Sequence, residues 1–373
     1  MDVQRPTTRP IHRSVRAPVL GALAAVLVLL GVVMVLSAAS VQDLRDHGDA
    51  WYHVRRQVVW IALGTVGLVT MLRIDYRRLR GVAPTMLVVT IVLLVLVFVP
   101  GIGIEANGSS RWLGAGPATL QPSELAKLTV ILYAAVLLSA PDRDVDDLRH
   151  TQLPLMLVLG LVSGLVYLEP DMGTAAVLVV IGASVLFFAG LRPALVVGGG
   201  AVAVGLLVGL AMTAGYRRQR LLSLFDPWSD PLHTGWQAIQ AGVAMSNGGL
   251  WGMGLGASRA KWGFLPYAQT DFIFAIVAEE LGFVAAILVV LAFLAIGIIG
   301  LNTALRAPDR FGQLLAAGIT TWIVLQAYVN VGAVLGLLPI TGIPLPFLSY
   351  GGSSMVFTLT AYGVLLNIAR QTP

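Results

Sequence analysis

The chain has 373 residues, of which 57% are hydrophobic and only 12% charged, and its mean hydropathy is +0.84. A soluble domain is about one quarter charged, so this composition excludes an ordinary soluble globule and argues for a membrane protein. The net charge of +5 sits largely in short loops between apolar runs, which argues against nucleic-acid binding, and the absence of cysteine excludes disulfides and thiolate chemistry.

Arg5, Arg9, Arg13 and Arg16 precede an apolar run over 17–37. That run is long enough to cross a bilayer and many more follow it, so it reads as a retained first helix rather than a cleaved signal. Runs of about twenty apolar residues predict further spans at 56–73, 82–100, 122–140, 153–168, 174–190, 194–213, 272–299, 312–334 and 351–368, after the first at 18–38. Lone spans in lipid must satisfy their backbone internally, so an all-α integral membrane protein of ten transmembrane helices is expected.

With the amino terminus inside, fourteen of the 24 Lys and Arg residues fall in inner segments and nine in outer ones. Five of those nine lie in the long loop 214–271, which weighs less in setting orientation. Both termini are therefore expected to be cytoplasmic: a tail over 1–17, a single polytopic membrane domain over 18–368, and a tail over 369–373. The outer face then carries the long, Gly/Pro-rich segments 101–121, 214–271 and 336–350, and a site is expected there.

Taken in order, Asn107-Gly-Ser-Ser-Arg111-Trp112 offers Arg111 as a phosphate grip and Trp112 as an interface anchor. Gln121-Pro-Ser-Glu124-Leu-Ala-Lys127 opens the fourth span. Glu124 and Lys127 share a helix face and can pair, either as a buried ion pair or as a polar cavity wall, and the second reading is favoured. Asp171 in Glu169-Pro-Asp-Met-Gly-Thr174 reads first as a helix cap. Arg217-Arg-Gln-Arg220 suits lipid headgroups or a pyrophosphate equally. The glycines of 248–256 form no dinucleotide motif and suit a close-packed loop.

Asp271, at the mouth of the eighth span, is the leading catalytic candidate, with a plain N-cap as its competing role. Glu279 and Glu280 lie about 80° and about 180° round the helix from it and are expected to serve other surroundings. The sequence carries no metal-ligand cluster and no nucleophile motif.

Several ordered motifs, NGSSRWL, QPSELAK, EPDMGT, GWQAIQA, GLGASRAKWGFLP, TDFIFAIVAEELGF and LPITGIPLPFLSYGGSS, are similar to those of the SEDS family of shape, elongation, division and sporulation proteins, typified by FtsW, RodA and SpoVE. The resemblance spans roughly 18–368. It departs from many relatives at Ser246–Gly249 and at Ala285, and the run at 254–262 looks more like the division-type FtsW branch.

The resemblance implies a ten-helix peptidoglycan glycosyltransferase of the bacterial cytoplasmic membrane, active on its outer face. Such an enzyme polymerises lipid II, a disaccharide-peptide on undecaprenyl pyrophosphate. It implies a class B penicillin-binding protein as partner, alongside other divisome or elongasome membrane proteins and membrane lipids, and no nucleic acid. Asp271 falls on the family's catalytic aspartate. Arg111, Glu124, Lys127, Asp171, Arg220, Lys261, Ser349 and Ser353 are the substrate-binding candidates. In such a reaction arginines or a divalent cation, Mg²⁺ or Mn²⁺, would meet the charge developing on the pyrophosphate. The alternatives are a lipid II flippase and a non-catalytic scaffold for the transpeptidase.

Overall fold

A computed structural model describes residues 15–106, 109–115, 118–141, 143–213 and 215–372. Arg5, Arg9, Arg13 and the Asn107-Gly108 pair lie outside these residues, as does the Arg217 side chain. In chain order the helices are α1 (Arg16–His47), α2 (Tyr52–Arg73), α3 (Leu79–Leu96), α4 (Pro122–Leu138), α5 (Leu153–Leu168), α6 (Met172–Phe188), α7 (Pro193–Thr213), α8 (Gly215–Leu222), α9 (Trp236–Gly248), α10 (Ile273–Leu305), α11 (Arg310–Val334) and α12 (Gly352–Gln371).

Every expected span coincides with a helix, and α8 and α9 fall in the long loop before α10. Among the described residues seven helices are long and apolar enough to cross a membrane: α1, α3 and α5 with the turns that lead into them, α7, α10, α11 and α12. Helix α6 is apolar but only 17 residues long. Helix α2 opens with Arg55, Arg56 and Gln57, and α4 with Glu124 and Lys127, which lowers their apolar content. The chain is a multi-pass, helical membrane protein.

One departure from the expected helices-and-loops layout lies between α3 and α4. Strands β1 (Gly103–Ala106), β2 (Ser109–Ala115) and β3 (Ala118–Leu120) form an antiparallel sheet in the order β1-β2-β3, with Ile104 opposite Trp112 and Leu113 opposite Leu120. Strands this short give no period in a scan for twenty-residue runs.

Helix α11 is the axis of the bundle. Phe311, Leu314, Leu315, Ile319, Trp322 and Ile323 are fully buried where it packs on α4, α6, α10 and α12. Helix α7 is its opposite: none of the described residues in its apolar window is buried, as suits a helix whose solvent is lipid. At one end of the bundle Asp309 caps α11 through the Gly312 N–H and accepts from Tyr76 Oη at 2.6 Å and Arg77 Nε at 2.9 Å. The Asn367 amide there caps the carbonyls of Met71, Leu72 and Ile74 at the end of α2.

Helix α10 is broken at Gly282, whose φ is +81°. The glycine-rich segment 249–254 fills the break. Met253 and Gly254 N–H donate to the Glu279 and Glu280 carbonyls, and Phe283 and Val284 N–H donate to Gly249 and Leu250. Two carbonyls at the end of the first half-helix and two N–H groups at the start of the second are thus satisfied inside protein, the condition under which a broken helix survives at membrane depth. The close-packed loop expected from these glycines is observed. A Cβ on Gly252 would collide with the Glu280 carbonyl.

Candidate active site

At the end of the bundle away from Asp309, the sheet, the 170–173 turn, α8, α9 and the segments 267–271 and 339–354 enclose a cavity of about 920 Å³. Among the described residues its charged lining consists of three arginines, Arg56, Arg111 and Arg220, and a single carboxylate, Asp271. The remaining polar lining includes Thr119, Gln121, Gln237, Thr270, Tyr350, Ser353 and Ser354.

Asp271 does not cap α10. The cap position is Phe272, and no side chain bonds there. The carboxylate instead faces the cavity from a tight turn over 267–272, in which the Asp271 N–H donates to the Tyr267 carbonyl. The surrounding protein raises its pKa to about 6, chiefly by burial, while Arg220 and a hydrogen bond from Thr270 pull the other way. Asp171 adds to the rise and Arg111 opposes it.

Each arginine is oriented by carbonyl or hydroxyl partners. Arg111, on β2, donates through Nε to the Glu169 carbonyl at 3.0 Å and through Nη2 to the Pro170 carbonyl at 2.6 Å. These carbonyls belong to the C-cap of α5 and to the residue after it, so the guanidinium also sits at the negative end of that helix. Arg220, in the last turn of α8, reaches the Ile340 carbonyl at 3.5 Å. Arg56 donates to Tyr52 Oη at 3.0 Å and lies over the Tyr52 ring.

Ser353 lines the cavity and ties its parts together. Its hydroxyl accepts from the Gln121 N–H at 3.0 Å and donates to the Thr119 carbonyl at 3.1 Å, which pins the exit of β3 to α12.

Five other expected binding residues have different surroundings. Glu124 and Lys127 do not line the cavity; they form the buried ion pair that was the less favoured reading. Lys127 Nζ lies 2.8 Å from both Glu124 Oε1 and Gln326 Oε1, over the Trp322 ring. The α4–α11 contact encloses them because the pair needs protein partners away from water. Lys261 is also turned away. Its ammonium sits against the Gly256 carbonyl, Ser37 and Glu280.

Asp171 is the cap of α6, accepting from the Thr174 N–H at 3.0 Å, as its default reading had it. Ser349 is buried and bonds the backbone, donating to the Thr270 carbonyl at 2.6 Å and accepting from the Leu345 N–H at 2.8 Å. Trp112, expected as an interface anchor, stands on the cavity wall. Glu279 and Glu280 support the glycine loop. Glu279 accepts from Ser258 Oγ and the Arg259 N–H, and Glu280 from the Gly256 and Ser258 N–H groups and from Ser37.

Glu169 is an unexpected buried acid behind Arg111. It is fully enclosed, and neither carboxyl oxygen has a hydrogen-bond partner among the described residues. Burial raises its pKa to about 9, with a further push from Asp171. The sequence reading also passed over Arg56, Gln326 and Asn330. The two amides are four residues apart inside an apolar span, so they share one helix face, and that spacing was a usable signal.

Among the described residues no three His, Asp or Glu side chains converge on a point. A divalent cation in this cavity would therefore draw most of its oxygens from a phosphorylated ligand and water, with Asp271 the only carboxylate on the wall among the described residues. That is an ordinary arrangement for Mg²⁺.

A model of the FtsW/RodA/SpoVE family of cell cycle proteins matches residues 18–373. The chain is 42% identical over 349 residues to a probable peptidoglycan glycosyltransferase FtsW of Geobacter metallireducens, covering 94% of this chain and 93% of that protein. It is 40% identical over 346 residues to stage V sporulation protein E of Bacillus subtilis, covering 93% and 94%. Among solved structures, a chain from a peptidoglycan synthase complex that coordinates polymerization and crosslinking superposes with a TM-score of 0.76 at 32% identity, covering 94% of this chain and 97% of that one. The rod shape determining protein RodA of Thermus thermophilus superposes with a TM-score of 0.69 at 29% identity, covering 95% and 96%. The ordered motifs, the helical fold and these matches agree: the chain belongs to the FtsW/RodA/SpoVE family of cell cycle proteins.

Proposed function

We propose that the chain is a peptidoglycan glycosyltransferase that polymerises lipid II into glycan strands. The observation that carries this reading is a large cavity whose wall holds one carboxylate among three arginines. In the proposed orientation ten spans cross the cytoplasmic membrane, both termini are cytoplasmic, and the cavity and loop 214–271 face outward. The arginine bias of the opposite loops supports this orientation.

In this reaction the acceptor sugar hydroxyl attacks the anomeric carbon of the donor. A new C–O bond forms, the bond to the pyrophosphate breaks, and the undecaprenyl pyrophosphate leaves with the electron pair. Asp271 takes the hydroxyl proton, a contribution of roughly 10²–10⁴-fold for a well-placed general base. A pKa near 6 leaves the carboxylate ionised at neutral pH yet more basic than an exposed aspartate.

Arg56, Arg111 and Arg220 bind the two pyrophosphates and meet the charge that develops on the leaving one. A divalent cation, if bound, supplies further charge stabilisation at the phosphates. The pyrophosphate leaves without a strong general acid, so one carboxylate suffices where most glycosidases use two.

A class B penicillin-binding protein transpeptidase is the proposed partner, and the fold shared with a chain of a synthase complex supports that pairing. The test is to supply purified chain and its transpeptidase partner with lipid II and Mg²⁺ or Mn²⁺. Glycan strands of increasing length are expected. Headgroup translocation across vesicles without polymer would replace this reading with the flippase.

A further inference from the structure

Three consecutive carbonyls of the turn that carries Asp271 are bonded by a second set of residues. The Tyr350 N–H donates to Gln269 O at 2.9 Å, Ser349 Oγ to Thr270 O at 2.6 Å, and Asn330 Nδ2 to Asp271 O at 2.8 Å. The second hydrogen of the Asn330 amide goes to Ile343 O, also at 2.8 Å. Asn330 and Ser349 are both only 3% exposed, so neither reaches the cavity.

We propose that Asn330 and Ser349 are positioning residues that aim the Asp271 carboxylate by holding its backbone. An amide NH₂ has two donors, and here they join two walls of the cavity: the turn of Asp271 and the strip 339–344. That strip carries Gly342, where an added Cβ would stand 3.7 Å from Asp271 Oδ2, and Ile340, whose carbonyl Arg220 touches. Asn330 thus fixes the carboxylate relative to the arginine opposite it.

The turn needs such external bonds. It precedes α10 without a side-chain cap, and the half-helix behind it ends at the Gly282 break, so α10 alone does not hold it. One rung along α11, the Gln326 amide nitrogen donates to Pro344 O at 2.9 Å as Asn330 donates to Ile343 O, and Lys127 and Trp322 both donate to the Gln326 amide oxygen. The buried ion pair of α4 therefore supports the same strip from behind.

This inference rests on Asp271 being the base, and the experiment separates the two. Wild type, Asp271→Asn, Asn330→Leu, Ser349→Ala and the Asn330/Ser349 double variant are compared in lipid II polymerisation with the transpeptidase partner, across pH 5 to 8. Asn330→Leu keeps the volume and removes both donors, and Ser349→Ala is the milder change should the first fail to fold. Each is expected to lower kcat by about 10- to 100-fold, the scale of an ångström-sized misplacement. KM should stay within about twofold, and the pH midpoint of kcat should shift, because the carboxylate no longer sits as it did against Arg220. A purely structural role would lower the melting temperature without moving that midpoint. Wild-type kcat and midpoint in a folded Asn330→Leu or Ser349→Ala protein, with Asp271→Asn inactive, overturns the clamp and leaves the base standing. A fully active Asp271→Asn protein removes the base and the clamp with it.

Discussion

Lys127 and Glu124, one turn apart on α4, meet at 2.8 Å with side chains only 1% and 2% exposed. Removing either partner leaves a charge enclosed without its counter-ion, and such losses cost about 3–5 kcal/mol. Lys127→Met and Glu124→Leu are each expected to lower the detergent melting temperature sharply. The double variant, which removes both charges, should be more stable than either single one. Thermal unfolding of the three proteins checks this, and additive losses would contradict the pairing.

Glu169 gives a pH-dependent stability whose sign follows from its burial. Its folded pKa, about 9, lies above the ordinary carboxylate value, so the folded state holds the proton more tightly than the unfolded chain. The resulting contribution is complete below the ordinary carboxylate range and is lost as pH rises through about 9. Wild type should therefore lose thermal stability between about pH 5 and 9 more steeply than Glu169→Gln, which has no proton to lose. Equal slopes would count against a neutral Glu169.

Gly282 holds a positive φ where a Cβ would collide with the Gly252 nitrogen. Gly282→Ala combines that clash with a strained backbone, itself worth about 1–3 kcal/mol. The expected result is a strongly destabilised protein in which the 249–256 loop becomes protease-sensitive. Accumulation at wild-type levels with a protected loop would show that the break tolerates a side chain.

The helices were legible because a span must be about twenty apolar residues long: α1, α3, α5, α7, α10, α11 and α12 meet that measure, and α2, α4 and α6 left shorter or less apolar runs at the expected positions. The sheet at 103–120 and the break at Gly282 left none: the strands are too short, and the break depends on a partner segment more than twenty-five residues upstream. Asp271, Arg111, Arg220 and Ser353 were legible as cavity residues from charge at a span mouth and from family motifs. Glu124, Lys127, Lys261 and Ser349 were misread for one reason. A polar residue near a site can face the site or brace it, and sequence spacing does not distinguish the two. Arg56 was missed because it sits in an arginine pair that reads as a span flank.

Asp271 as a base predicts an acid limb in the polymerisation rate. The carboxylate accepts a proton only when ionised, so kcat should rise with pH through about 6 and level off above it. Arg220 is the strongest influence holding that value down. Arg220→Gln should therefore move the midpoint upward as well as weaken pyrophosphate binding. Arg220→Lys should restore the midpoint better than the binding, since an ammonium lacks the bidentate fork. A profile flat from pH 5 to 8 would exclude a titrating base.

The most direct measurement is the polymerisation rate of Asp271→Asn beside wild type, with the transpeptidase partner, lipid II and Mg²⁺ or Mn²⁺ present. Asparagine keeps the shape and removes the proton acceptor. The expected result is a folded protein with a melting temperature near wild type that makes glycan strands at least about 10²-fold more slowly. A folded Asp271→Asn protein polymerising at the wild-type rate would contradict it.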